Sequence, residues 1–122
     1  MKINKNCILL FLFCFLIYML YGGLIPLLDP DEPVYGETAK EMLSTGDWLS
    51  PRIYGEFWYD KPPLFYWLEG LSFSLFGIST WSARLPSAFL GAITPVYLYL
   101  STRKLLCEKA ALRGAFICAT SL

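Results

Sequence analysis

Lys2 and Lys5 lead into an apolar run from Cys7 to Leu28, broken only by Gly22, Gly23 and Pro26. About 20 consecutive apolar residues, as helix, cross the hydrocarbon core of a bilayer, and this run reaches that length. A cleaved secretory signal is the rival. Its apolar core is shorter, about 7–15 residues, and a small-x-small cleavage site follows it. No such site follows Leu28. The run therefore predicts an uncleaved transmembrane helix over residues 7–28. Composition agrees: 16% of the residues are charged and 56% hydrophobic, whereas an ordinary soluble domain carries about a quarter charged residues.

The charges are segregated. Between Asp29 and Lys61 stand eight of the ten acids (Asp29, Asp31, Glu32, Glu37, Glu41, Asp47, Glu56 and Asp60) against three bases, Lys40, Arg52 and Lys61, a net charge of −5. Arg103, Lys104, Lys109 and Arg113 cluster further on. Basic flanks stay in the cytoplasm, which puts the N-terminus and residues 103–113 inside and the acidic stretch outside. Parity then requires an odd number of crossings between them.

Trp81–Thr102 is the second crossing. Pro62–Gly77 is apolar too, but about fifteen residues long and with Glu69 in its middle. It reads as an interfacial helix in the headgroup plane, which preserves parity. Trp48, Trp58, Trp67 and Trp81, with Tyr54, Tyr59 and Tyr66, form the aromatic belt of a membrane–water boundary. Within the outer stretch, Tyr35, Ala39, Met42 and Leu43 share one helical face. A short helix is expected over 33–43, with Asp31 able to cap it, Pro33 in its first turn and Gly46 at its stop. Trp48–Tyr59 has turn residues and no period, and reads as an irregular loop. Ala110–Leu122 begins a third apolar helix, so the chain reads as a fragment, a truncated frame or half of a split gene.

Histidine is absent, and no cysteine lies between Leu28 and Leu100. Cys7, Cys14, Cys107 and Cys118 read as small apolar residues on membrane helices. Chemistry must rest on carboxylates, Lys, Arg, Tyr or backbone. Two clusters stand out. Asp29-Pro30-Asp31-Glu32-Pro33 pairs carboxylates beside the first span, either as a helix cap with first-turn acids or as a base. Tyr59-Asp60-Lys61-Pro62-Pro63 holds Lys61 at headgroup depth, either snorkelling or meeting a lipid phosphate. Arg84 invites the same two readings. No residue pattern demands a cofactor; a divalent metal is compatible with the acids, and its ligands stay unknown.

The run Asp31-Glu32-Pro33-Val34-Tyr35-Gly36-Glu37, followed by Glu41-Met42-Leu43-Ser44-Thr45-Gly46-Asp47-Trp48, Pro51-Arg52, Asp60-Lys61-Pro63, Leu75-Phe76-Gly77 and Ala83-Arg84-Leu85-Pro86-Ser87, resembles the N-terminal part of the phospholipid-carrier-dependent glycosyltransferases. These are the lipid A aminoarabinose transferases and their kin, the protein mannosyltransferases. The resemblance implies an all-α membrane protein of GT-C type, here two full transmembrane helices (7–28 and 81–102), an extracytoplasmic loop with juxtamembrane helices (29–80) and the start of a third span (110–122). It implies a bacterial inner-membrane, multi-pass location with a cytoplasmic N-terminus. It also implies transfer of a sugar from a polyprenyl-phosphate donor to a lipid, glycan or protein acceptor, among membrane lipids and without nucleic acid.

By the same resemblance Asp31, with Glu32 beside it, takes the catalytic carboxylate position, and Lys61 the donor-phosphate contact, with Arg84 assisting. The family often has arginine where this chain has Val34, so that anion contact does not carry over. A polyprenyl phosphate leaves readily. The reaction then needs a base for the acceptor and cations for the departing phosphate. The competing class is an inactive remnant or small membrane interaction protein; in-frame helices encoded downstream of Leu122 would discriminate. A transporter fragment fits less well, because the spans lack central charges.

Overall fold

The computed structural model describes residues 4–20, 22–28 and 30–121. Lys2 and Asp29, both used in the sequence reading, lie outside the described residues. Five helices run in the order α1 (Lys5–Met19), α2 (Asp31–Thr45), α3 (Leu64–Phe76), α4 (Thr80–Thr102) and α5 (Glu108–Thr120). Strands β1 (Arg52–Ile53) and β2 (Glu56–Phe57) lie between α2 and α3. The chain divides into two units, one of Met1–Leu20 with Ser87–Leu122 and one of Tyr21–Pro86.

The first unit joins α1, most of α4 and α5. Its core is built from small residues: Ala111, Ala115 and Ala119, four apart on one face of α5, with Ala92, Cys7 and Cys14. Small side chains let apolar helices approach closely, which is how helices associate when lipid removes the hydrophobic drive. Polar groups are satisfied at one end of this core. The buried Tyr99 hydroxyl accepts from Asn4 Nδ2 at 3.1 Å and donates to Glu108 Oε1 at 2.9 Å. Cys107 departs from expectation: it precedes α5 and is exposed, whereas Cys7 and Cys14 are buried on α1.

The expected helix over 7–28 ends early. α1 has 15 residues, roughly 22 Å of rise, against about 30 Å of hydrocarbon. Leu20 caps it, and residues 22–28 follow as turns and extended chain. Gly22, Gly23 and Pro26 explain the break, since glycine weakens a helix interior and proline removes one of its hydrogen bonds. α4 is 23 residues long but carries Ser82, Arg84, Pro86 and Pro95. Among the described residues no helix is both long and apolar enough to cross a membrane.

The second unit packs α2, α3 and the first turns of α4, with Ala39, Phe73 and Ala83 at its centre and Leu27 and Leu43 against them. α2 starts at Asp31, two residues before the expected start, and Gly46 ends it in the left-handed conformation at φ 74°. Trp48–Tyr59 is more regular than its sequence suggests. β1 and β2 pair antiparallel, Arg52 opposite Phe57 and Ile53 opposite Glu56. Tyr54 and Gly55 make the turn with φ 54° and 84°, the positive angles a two-residue hairpin demands. Glu41 on α2 fixes this turn by accepting the Gly55 N–H, 3.2 Å from Oε2.

The joint from α3 to α4 follows from Pro86. Proline has no N–H, so the carbonyl four residues earlier loses its helical partner. That carbonyl is Ser82, and the Ser72 hydroxyl on α3 donates to it at 2.6 Å. Ser79 and Ser82 cap the start of α4 reciprocally, each side-chain oxygen accepting the other's N–H, at 3.0 and 3.2 Å.

Candidate functional site

Asp31 and Lys61 come together although thirty residues separate them. Lys61 Nζ donates to Asp31 Oδ1 at 2.7 Å. Asp31 is the first residue of α2, and Lys61 sits two residues before Pro63, the N-cap of α3. The packing of α2 against α3 thus carries the two groups toward each other. Lys61 Nζ also lies 5.3 Å from the centre of the Tyr35 ring, a cation–π distance. That ring is held edge-on to Phe65, 4.9 Å between centroids. The Asp31 hydrogen bond, with Tyr35 and Asp60 nearby, raises Lys61 above the ordinary lysine range, so its ammonium is charged at neutral pH.

Asp31 does not cap α2. Pro30 is the N-cap residue, helical in backbone and making no side-chain cap bond. Of the alternative left open by the sequence, the first-turn acids stand, Asp31 and Glu32 both lying in the first turn of α2, while the Asp31 carboxylate also meets a cation.

Glu32 and Arg84 form a second pair of different character. Arg84 Nε donates to Glu32 Oε1 at 3.0 Å and Nη2 to Oε2 at 2.8 Å. Nη1 donates to the carbonyls of Gly22 and Ile25 at 3.1 and 2.8 Å, and Nη2 to that of Pro26 at 3.0 Å. A guanidinium has five N–H donors in a fixed fork, and five acceptors use them. Arg84 thus collects three carbonyls of the irregular chain that follows α1. The Arg84 hydrogen bond holds Glu32 below the ordinary carboxylate range. In this arrangement Arg84 has no donor left for a phosphate, unlike its expected partner Lys61. Two of the four expected site residues thus make an accessible pair and two a fastening.

Other groups of the site carry no motif. Trp67 Nε1 donates to the Trp48 carbonyl at 2.6 Å. The Trp48 ring covers Gly70 so closely that a Cβ there would lie 2.5 Å from it. Glu69, between them in sequence, is only 3% exposed. Among the described residues no three Asp, Glu or Cys side chains converge as a metal site would require.

The dolichyl-phosphate-mannose-protein mannosyltransferase family matches residues 60–122, just over half of the chain. The chain belongs to this family. The matched span includes Lys61, Glu69 and Arg84. Among curated relatives, the undecaprenyl phosphate-alpha-4-amino-4-deoxy-L-arabinose arabinosyl transferase of Yersinia enterocolitica is 37% identical over 101 residues, 81% of this chain and 18% of that protein. The transferase of the same name from Aeromonas salmonicida is 40% identical over 88 residues, 72% of this chain and 16% of that one. The matched part of the chain therefore spans less than a fifth of the length of these relatives. The crystal structure of ArnT from Cupriavidus metallidurans bound to undecaprenyl phosphate is similar at TM-score 0.76 and 28% identity, over 89% of this chain and 20% of that one. Its apo form gives the same TM-score of 0.76 over 85% of this chain. The family match covers Lys61 and Arg84, one member of each charged pair; Asp31 and Glu32 precede it.

Proposed function

We propose that this chain forms the donor side of a GT-C membrane glycosyltransferase, which moves a sugar from a polyprenyl-phosphate carrier to a lipid, glycan or protein acceptor outside the bacterial inner membrane. The Asp31–Lys61 pair carries this reading: a carboxylate and a lysine joined at 2.7 Å, both at least partly accessible. The names of the arabinosyl transferase relatives and the undecaprenyl phosphate bound to the similar ArnT structure support it.

In the proposed reaction, the donor phosphate draws Lys61 away from Asp31. The ammonium then meets the charge that grows on the departing phosphate. Asp31 accepts the proton of the acceptor hydroxyl, or orients an acceptor phosphate, as that oxygen attacks the anomeric carbon. The carbon–oxygen bond to the carrier phosphate breaks on the opposite face, inverting the centre. Glu32 does not touch the reacting atoms in this scheme. With Arg84 it fastens the start of α2, which sets where Asp31 stands.

The proposed topology places the N-terminus and residues 103–113 in the cytoplasm and α2 to α3 outside, with crossings over residues 7–28 and 81–102. The apolar run continues past α1 as irregular chain. Irregular backbone at membrane depth is tolerated only where protein groups satisfy it, and Arg84 supplies three of those bonds.

The test is a chimera in which this chain replaces the matching segment of Cupriavidus ArnT, assayed for transfer from a polyprenyl-phosphate sugar. Lys61→Met keeps the apolar stem and removes the charge. It is expected to raise the KM for donor about tenfold or more while membrane insertion persists. An unchanged donor KM in a well-inserted Lys61→Met chimera would overturn the donor-side assignment.

A further inference from the structure

Glu69 is the one buried acid among the described residues of the second unit, the proposed reaction leaves it unused, and its placement is costly. It lies on α3 with 3% of its surface exposed, and Oε2 is buried with no hydrogen-bond partner among the described residues. A buried carboxylate without a partner is among the most unfavourable arrangements a protein can hold. Glu32, on α2, is the charge Glu69 feels, and it is of like sign. Arg84, from the first turns of α4, is fully engaged by Glu32 and the three carbonyls. Tyr66, one turn earlier on α3, is fully buried, with Thr38 of α2 beside its hydroxyl. No cation faces Glu69 in the described residues to hold it as an anion.

We propose that Glu69 is a positioning residue that keeps its proton in the seam between α2 and α3, leaves Arg84 to Glu32 alone, and so maintains the approach of Lys61 to Asp31. Burial and the neighbouring Glu32 push its carboxyl up to about 8, in the direction the geometry requires. If Glu69 ionised, its charge would repel Glu32, the partner that Arg84 holds. Arg84 would then release Glu32 or the carbonyls of residues 22–26, and α2 would lose the fastening that sets Asp31. Trp48 lies against the residue next to Glu69 and reports on the same seam. The link from Glu69 to the donor rests on the proposed function; the proton on Glu69 does not.

The experiment uses this chain in lipid nanodiscs, with undecaprenyl phosphate as the probe. Infrared difference spectra should show a protonated-carboxyl band at neutral pH that fades as the pH rises through about 8 and is missing in Glu69→Gln. Trp48 emission, in a variant with the other tryptophans replaced by phenylalanine, should shift over the same range and stay flat when Glu69→Gln is added. Undecaprenyl phosphate binding should weaken about tenfold over that range in the parent chain and stay level in Glu69→Gln. Lys61 titrates higher still, and the probe's own ionisation is common to both proteins. A band that survives Glu69→Gln would overturn the proton assignment. Equal alkaline loss of binding in both proteins would overturn the positioning role. If the parent chain bound no undecaprenyl phosphate while the infrared and Trp48 changes followed Glu69, the donor reading would fail and the protonated seam would stand.

Discussion

Lys61 Nζ stands 2.7 Å from Asp31 Oδ1, and each is placed by the start of a different helix. In the proposed reaction this carboxylate is the base. Asp31→Asn tests this role, because asparagine keeps the size and one hydrogen-bonding oxygen but neither forms an ion pair with lysine nor acts as a base. In the ArnT chimera, Asp31→Asn is expected to express and insert normally while kcat falls on the order of a hundredfold or more, the usual size of a general-base contribution. A chimera that turns over at the parent rate would remove Asp31 from the chemistry.

Arg84 serves structure through all five donors, so substitutions there should act on stability before they act on donor binding. Lysine keeps the charge but not the planar fork. A lysine offers three donors where five are used, so Arg84→Lys leaves at least two of the five acceptors unserved, at about 1–3 kcal/mol for each that is buried. Thermal unfolding in detergent should show a loss of a few kcal/mol. Glu32→Gln should cost less, since the amide can still accept one bond. A normal melting profile for Arg84→Lys, with donor binding lost, would return Arg84 to the phosphate.

The pattern of helices was legible because apolar periodicity and punctuation agree over α2 to α5. Gly46 and Gly77 end helices where positive φ is needed, and the second apolar segment begins at Trp81 where α4 begins at Thr80. The early end of α1 was written in Gly22, Gly23 and Pro26. A hydropathy reading sums over such breakers, so it extended the helix to Leu28. The hairpin was missed because its strands are two residues each, too short for alternation to register, and its turn places a tyrosine, not Asn-Gly, at positive φ. Of the candidate site, the motifs supplied Asp31, Glu32, Lys61 and Arg84. Which cation meets which acid is a tertiary fact that no local pattern contains. One signal was available: Pro86 announces that the Ser82 carbonyl needs an outside donor, and Ser72 is that donor.

That joint makes its own prediction. Ser72 is 4% exposed and Ser82 fully buried, so Ser72→Ala strands a carbonyl that Pro86 has already deprived of its helical partner. A loss of about 1–3 kcal/mol is expected, measured by thermal unfolding. In a Ser72→Ala, Pro86→Ala double variant the backbone N–H returns, and most of the loss should be recovered. Additive losses in the double variant would mean that the Ser72 hydroxyl does not stand in for the missing N–H.

Cys107 offers a direct test of the proposed topology, since it is exposed while Cys7 and Cys14 are buried and Cys118 is half-buried. A membrane-impermeant maleimide should label Cys107 only after the cytoplasmic side is opened. Glu56→Cys, on the exposed second strand of the hairpin, should label in intact cells. A Cys107→Ser control isolates the signal. Labelling of Cys107 from outside intact cells would reverse the orientation.

Glu69 gives stability a pH dependence whose sign is fixed by its environment. Its carboxyl is raised from 4.5 to about 8 in the folded chain, so the folded state holds this proton more tightly than the unfolded state does. Its contribution is fully present below the ordinary glutamate pKa of 4.5 and is lost as the pH rises through about 8. At about 1.4 kcal/mol per pH unit, the loss across that window is on the order of 3–5 kcal/mol, a large share of the stability of a small fold. Glu32 and Asp47 are shifted the other way, so their contributions vanish on the acid side and do not mimic this one. Glu69→Gln removes the ionisable group and keeps the shape. Its amide still lacks a full set of partners, which costs about 1–3 kcal/mol at every pH. The variant should therefore be no more stable than the parent at acid pH, flat through neutrality, and the more stable of the two above pH 8. Melting temperatures in detergent at matched ionic strength read this as two curves that cross. Parallel curves would mean that Glu69 titrates alike in the folded and unfolded chains, and that its burial in the α2–α3 seam is relieved by ionisation or by water.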